Sequence, residues 1–256
     1  MKILIANDDG IMAPGIHTLA RYLMERHQLI IVAPETQRSA QSHAITLHKP
    51  IIIKEIELEG IDAPAYSISG TPADCVRVGM ELLTEGDVDI VLSGINMGLN
   101  SGMDILYSGT VSAAIEANLY GIPSVAVSAE WCKGDVNYDI AAKYVVRLLE
   151  RLELENIQAP MVLNLNTPYE LTDPEKPLKV CRIGGPIYDY YMSESNGNGE
   201  RTLKVIGRKE TVLEEDTDRF FLSEGFATLT PLSYDFTNFQ LMDKVRKCIE
   251  EEIRCE

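Results

Sequence analysis

The sequence predicts an α/β fold in which a mostly parallel sheet carries helices on both faces, followed by a β-rich arm. The first half alternates continuously apolar runs with helical stripes, as strands buried on both faces and joined by helical crossovers require. The second half loses that alternation and breaks into short strand candidates between Pro-rich and Glu/Asn/Gly-rich connections.

Taken in order, residues 2–7 are an apolar run ending in polar turn residues, the first buried strand. Pro14 opens a helical stripe through residue 27, with Ile16, Leu19, Ala20 and Leu23 on one side. Residues 29–33 are the next strand, stopped by Pro34, and a polar loop covers 35–43. Residues 45–58 alternate around Lys49-Pro50 and read as a hairpin. A helix over 72–83, a strand over 89–93, a helix over 110–119, a strand over 123–128 and an amphipathic helix over 138–152 complete the alternation. Beyond these, 161–166, 178–183, 203–206 and 226–230 are short strand candidates. Asp173-Pro174-Glu175-Lys176-Pro177 and residues 193–200 read as connections. A helix over 239–254 closes the chain and is expected to pack back on the first half. A boundary near residue 130 separates a core over 1–130 from a remainder over 131–256, the whole forming one structural domain.

The 256 residues, 45% hydrophobic and 24% charged, suffice for one substantial core. Lys and Arg total 23 against 39 Asp and Glu, a net charge of −16 that repels a nucleic-acid backbone. A small anionic substrate remains open, because one metal ion inverts the field locally. Cys75, Cys132, Cys181, Cys248 and Cys255 form no CxxC pair and are odd in number, which suggests neither a disulfide scaffold nor a zinc cluster. The apolar start is too short for a secretory signal, and no stretch approaches a membrane span. A soluble, cytoplasmic protein without membrane or nucleic-acid partners is expected.

In a parallel sheet, sites form beyond the carboxyl ends of the strands. The first strand ends in Asn7-Asp8-Asp9-Gly10. Two adjacent carboxylates raise one pKa unless a cation compensates, and a hard divalent cation with oxygen ligands does so; a turn with a helix-capping carboxylate is the plainer alternative. After the second strand, residues 35–42 bring Arg38 and the Ser39 hydroxyl to the same edge. The next strand runs into Ser93-Gly94-Ile95-Asn96-Met97-Gly98-Leu99-Asn100-Ser101-Gly102, then through Asp104 to Tyr107-Ser108-Gly109-Thr110. Its glycines leave backbone amides approachable, and Asn96 and Asn100 add neutral oxygens and amide donors. Ser108, Gly109 and Thr110 open a helix, a place where free N–H groups and the dipole favour an anion. The glycines match neither G-x-G-x-x-G nor the Walker pattern, and no G-x-S-x-G elbow exists. His17, His27, His43 and His48 read as structural or surface residues, with His43 alone on the candidate site loop. Hard-metal ligands beside a phosphate cradle suit metal-assisted phosphate hydrolysis.

The residues then show a family resemblance. Asn7-Asp8-Asp9-Gly10, Ala33-Pro34 with Gln37-Arg38-Ser39, Ile45-Thr46, Ser69-Gly70-Thr71-Pro72-Ala73-Asp74-Cys75-Val76, Ser93-Gly94-Ile95-Asn96, Tyr107-Ser108-Gly109-Thr110-Val111 and Gly121-Ile122-Pro123-Ser124 come in one order. Across residues 1–128 the chain resembles the SurE survival-protein nucleotidases, with looser agreement at Asn164-Leu165-Asn166-Thr167-Pro168 and Thr230-Pro231-Leu232. The resemblance implies a Rossmann-like sheet whose C-terminal arm is exchanged between subunits, giving homodimers or homotetramers. It implies hydrolysis of nucleoside 5′- and 3′-monophosphates with one divalent ion per subunit, Mg2+ or Mn2+, and possible trimming of short polyphosphate. Asp8, Asp9, Ser39 and Asn96 would hold the metal; Asn100, Ser108, Gly109 and Thr110 would cradle the phosphate. Ala40 stands where the family often has glycine, and Met97 at a variable position. The expected mechanism is direct attack of a metal-activated water, with Asp8 or Asp9 accepting its proton. An aspartyl-phosphate route is the enzymatic alternative, opposed by the absence of D-x-D after the first strand. A non-catalytic nucleotide sensor and a structural oligomer are the readings from other classes.

Overall fold

A computed structural model describes residues 1–84, 86–155, 161–171, 178–209 and 211–253. Its strands are β1 Lys2–Ala6, β2 Gln28–Pro34, β3 Ile53–Glu55, β4 Ala65–Ile68, β5 Ile90–Met97, β6 Ser124–Ala129, β7 Trp131–Cys132 and β8 Asp135–Val136. Further on come β9 Val162–Thr167, β10 Lys179–Val180, β11 Asp189–Ser195, β12 Arg201–Arg208 and β13 Thr228–Leu232. The helices are α1 Pro14–Leu23, α2 Pro72–Val78, α3 Gly109–Leu119, α4 Tyr138–Glu155, α5 Asp218–Ser223 and α6 Phe239–Ile253.

Nine strands form one sheet in the order β10-β13-β9-β6-β5-β1-β2-β4-β3. From β4 across to β9 every neighbour is parallel; β3 on one side and β13 on the other run antiparallel to theirs. The sheet therefore continues past residue 130 through β9 and β13. Successive strand residues face opposite ways, so Ile3 and Ile5 meet α1 and α4 while Leu4 and Ala6 meet α2 and α3. That is why the strands read as unbroken apolar runs: both faces are covered. The chain leaves β1 toward β2 on one side and returns at β5 on the other, so strand order reverses at β1. A crevice opens at such a switch point, beyond the strands' carboxyl ends.

Two close approaches shape that crevice. A Cβ on Gly15 would lie 1.9 Å from the Ile95 carbonyl oxygen, so only glycine lets α1 start this near β5. The register between β5 and β6 slips between Ser93 and Asn96, an irregularity of the kind that re-aims a side chain at a strand end.

Several elements differ from the sequence expectation. Residues 45–58 do not fold into a hairpin. Pro50 has no N–H to donate, Thr46 N–H donates to the Asp74 carboxylate and Ile52 N–H to Ser69 Oγ, which leaves only β3 to pair, with β4. Strand β5 extends to Met97, so Ser93-Gly94-Ile95-Asn96 lies in the sheet and the loop begins at Gly98. Residues 102–107 form a 3₁₀ helix, and the strand expected over 178–183 is the two-residue β10. Residues 193–195 belong to β11, which pairs with β12 in a hairpin of its own. Residues 173–177 and Cys255 lie outside the described residues. The last helix does not pack back on the first half: residues 239–249 of α6 are exposed throughout, Phe239, Met242, Val245 and Ile249 among them. The β11–β12 hairpin is likewise solvent-facing and apolar, with Tyr190, Tyr191, Met192, Leu203, Val205 and Ile206 exposed.

Candidate active site

At the end of β1, Asn7 builds the turn. Its side chain accepts the Gly10 N–H at 3.1 Å and donates to the Gly10 carbonyl at 2.9 Å, while Gly10 takes a φ of +104° that favours glycine. The turn sends Asp8 and Asp9 outward at the switch point. Asp8 is 3% exposed, and its Oδ1 accepts the Thr110 hydroxyl at 2.6 Å. Burial pushes its pKa up to about 6, the Thr110 bond opposes that rise, and the Asp9 charge adds to it. Burial also raises Asp9, which accepts the Met97 N–H at 2.8 Å and Gln37 Nε2 at 3.2 Å.

The loop after β2 is pinned to this turn. Arg38 N–H donates to the Asp8 carbonyl at 2.7 Å, and Gln37 Nε2 reaches both Asp9 and Ser39 Oγ, the latter at 3.0 Å. Gln37 thus ties two expected ligands together, a role its residue type alone did not suggest. Ala40 has a φ of +57°, the left-handed region in which a Cβ costs about 1–2 kcal/mol. The departure from glycine noted in the sequence therefore falls where glycine would relieve strain.

Asn96 Nδ2 donates to the Gly98 carbonyl at 2.8 Å, which orients its side-chain carbonyl. Ser108 is the N-cap of α3, its Oγ accepting the Val111 N–H at 3.1 Å. Gly109 packs directly on Asp8: an added Cβ would fall 2.9 Å from Asp8 Cβ. Helix N-terminus and carboxylate thus share one small volume. Asn100 is held more deeply than the sequence suggested. Its backbone N–H donates to Asn166 Oδ1, its Nδ2 to Ser128 Oγ, and its carbonyl accepts from Asn164 and Asn166.

Asp8, Ser39, Asn96, Asn100 and Ser108 come together in a cleft of about 670 Å³, within the size range of small-molecule sites. Thr110 lies fully buried beneath Asp8, and Asp9 stands beside the cleft, lining an adjoining recess with Gln37. His43 turns elsewhere, bonding Glu116 at 2.7 Å, and does not line the cleft.

The ligand set that the resemblance implies is two carboxylates with neutral oxygens from Ser39 and Asn96, and no cationic side chain lowers either aspartate. Among the described residues no group of three His, Cys, Asp or Glu could hold a metal. Two carboxylates whose charge is unfavourable when bare suit a hard, oxygen-preferring dication.

Sequence reasoning missed a second layer. Asp218, fully buried at the start of α5, accepts the N–H groups of Gly102 at 2.7 Å and Gly184 at 2.9 Å. Arg219 donates to the Ser101 and Gly185 carbonyls and pairs with Asp104 at 3.1 Å. Together they fasten the site loop to the base of the hairpin. Thr217-Asp218 was a readable helix start, but nothing local announces partners over a hundred residues away. The hairpin itself supplies the far wall of the cleft, with Tyr188, Tyr191, Arg208 and Lys209.

A Rossmann-like sheet with a buried carboxylate and a helix N-terminus at its switch point defines an α/β protein with a polar cleft beyond the strands' carboxyl ends. Residues 3–189 match the family model described as survival protein SurE. The chain is 49% identical over 249 residues to a 5′-nucleotidase SurE of Clostridium botulinum, covering 96% of this chain and 98% of that one. It is 48% identical over 255 residues to a 5′-nucleotidase SurE of Clostridium beijerinckii, covering 98% and 100%. The crystal structure of the SurE protein from Aquifex aeolicus superposes with a TM-score of 0.85 at 33% identity, over 97% of this chain and 99% of that one. The chain belongs to the SurE family.

Proposed function

We propose that this protein hydrolyses nucleoside monophosphates to nucleoside and phosphate in the cleft at the β1–β5 switch point, using one divalent ion, Mg2+ or Mn2+. Its family and relatives make it an enzyme, a hydrolase of phosphate monoesters. The observation that carries the finer reading is the contact of Asp8 with both ends of the chemistry: its carboxylate borders the expected metal ligands, and its own side chain bonds Thr110 in the first turn of α3.

Asp8, Asp9, Ser39 and Asn96 would hold the metal. Bound there, a divalent ion supplies Lewis acidity toward the phosphoryl oxygens and makes water a better nucleophile. The Ser108–Thr110 turn, with Asn100 nearby, receives the phosphate, and its backbone N–H groups stabilise the charge that builds on the equatorial oxygens. Asp8 or Asp9 orients the attacking water and takes its proton. Both 5′ and 3′ esters, and short polyphosphate, are substrates to be tried. Homodimers or homotetramers are the expected assembly, supported by the exposed apolar surfaces of the hairpin and α6, since a two-stranded hairpin is marginal in water without cover. Among the described residues no helix is long and apolar enough to cross a membrane; a cytoplasmic location is proposed.

The test is phosphate release from a panel of nucleoside monophosphates with Mg2+, Mn2+ or chelator. Metal-dependent release supports the reading; saturable nucleotide binding without release under any metal sinks it.

A further inference from the structure

We propose that the β11–β12 hairpin builds a nucleobase subsite on this cleft, with Tyr188 and Tyr191 as the stacking residues that favour a base-bearing ester over a bare sugar phosphate. This deepens the nucleotidase reading and rests on it. The cleft has two unlike sides. Its floor, at the strand ends, is polar and deeply buried; its far wall carries exposed aromatic rings, with Tyr188 66% and Tyr191 60% accessible. Tyr107, 65% accessible, lines the same space from the 3₁₀ helix that leads into the phosphate turn. Aromatic faces next to a phosphate cradle are what a nucleobase needs, because every base offers a π-face for stacking whatever its hydrogen-bonding edge.

The wall is also held in place. Asp189 and Tyr191 line the cleft and Tyr190 does not; its ring lies under Lys209 Nζ, 5.7 Å from the centroid. At the hairpin's base, Lys209 N–H donates to the Tyr188 carbonyl at 2.8 Å. Arg208 is ion-paired with Asp104, three residues before Tyr107, and Asp104 also pairs with the buried Arg219. The base of the hairpin is therefore tied to the loop that leads into the phosphate turn. Arg208 and Lys209 line the cleft beside Asp104 and Asp189, and Arg208 pairs with both carboxylates.

The experiment compares kcat/KM for purine nucleoside 5′-monophosphates and for ribose 5-phosphate, with Mn2+, in the full-length protein and in Tyr188→Leu/Tyr191→Leu and Tyr190→Leu variants. Expected is a loss of roughly tenfold on the nucleotides in the double variant, mainly through KM, as removal of base stacking gives. Ribose 5-phosphate turnover should be unchanged, which also shows that the variant is folded, and Tyr190→Leu should leave both substrates alone. Equal losses on both esters, or none on the nucleotides, overturn the subsite while leaving the phosphatase reading standing. Wild-type protein that releases phosphate from neither ester overturns the nucleotidase reading and the subsite with it.

Discussion

Asp8 and Asp9 follow a strand hydrogen-bonded on both sides and covered on both faces, whereas Tyr188 and Tyr191 belong to a hairpin whose strands pair only with each other. In the first region, most polar atoms near the chemistry have a partner within the same few ångströms: Asn7 with Gly10, Asp8 with Thr110, Asp9 with Met97 and Gln37. In the second, order comes from the base alone, through Arg208, Asp104, Arg219 and Asp218. The difference separates labour. Groups that must be placed to a fraction of an ångström sit on the sheet, and groups that need only offer a surface sit on the appendage.

The largest effect should come from the rigid side. Asp8→Asn is expected to lower metal-dependent phosphate release by roughly 10²–10⁴-fold, the range for a lost general base, with the fold intact by circular dichroism. A variant with near-normal turnover would remove Asp8 from the chemistry. Next is the tie between regions. Arg219→Ala removes one of the two cations that pair with Asp104 and leaves the Ser101 and Gly185 carbonyls without their donor; it should cost about 1–3 kcal/mol in urea unfolding and raise the KM for nucleotides. If stability falls but KM for nucleotides and for ribose 5-phosphate change alike, the hairpin is not placed by this clamp.

A chain ending at residue 237 should keep the sheet's circular dichroism yet lose subunit association by light scattering, because the described face of α6 contributes nothing to the core of its own chain. Unchanged mass would mean that α6 is not part of the interface. A pH effect follows from Asp8. Its folded pKa, about 6, exceeds its ordinary 3.8, so the folded form binds the extra proton between them. With chelator, its contribution to stability is present below pH 3.8 and lost as pH rises through about 6. Thermal melts across that window should show the decline, and Asp8→Asn should flatten it; identical slopes would contradict the burial argument. The smallest change is Ala40→Gly, expected to stabilise by about 1 kcal/mol by relieving the left-handed φ.

Much of the parallel core was legible because each buried strand leaves a complete local record. Ile3, Leu4 and Ile5 are all apolar since each faces a helix layer, and the turn at Asn7-Asp8-Asp9-Gly10 follows at once. The family's motifs lie at those same strand ends, within a few residues of the apolar runs that mark them. The failures have one cause. Residues 45–58 alternate like a hairpin, but their N–H groups found side chains on other elements, Asp74 and Ser69. The buried role of Asn100 depends on Ser128, Asn164 and Asn166, brought together only when β6 and β9 pair.

By itself the sequence determined the α/β class, the parallel core, the carboxylate pair after β1 and the small-residue start of α3, because periodicity and turn chemistry are encoded within a few residues. Only the tertiary structure decided that strand order reverses at β1, that Gln37 joins Asp9 to Ser39, that Asp218 and Arg219 fasten the site loop, and that the hairpin's tyrosines wall the cleft. Those facts are contacts between residues far apart in the chain, and the side chains that make them carry no local pattern that names their partners.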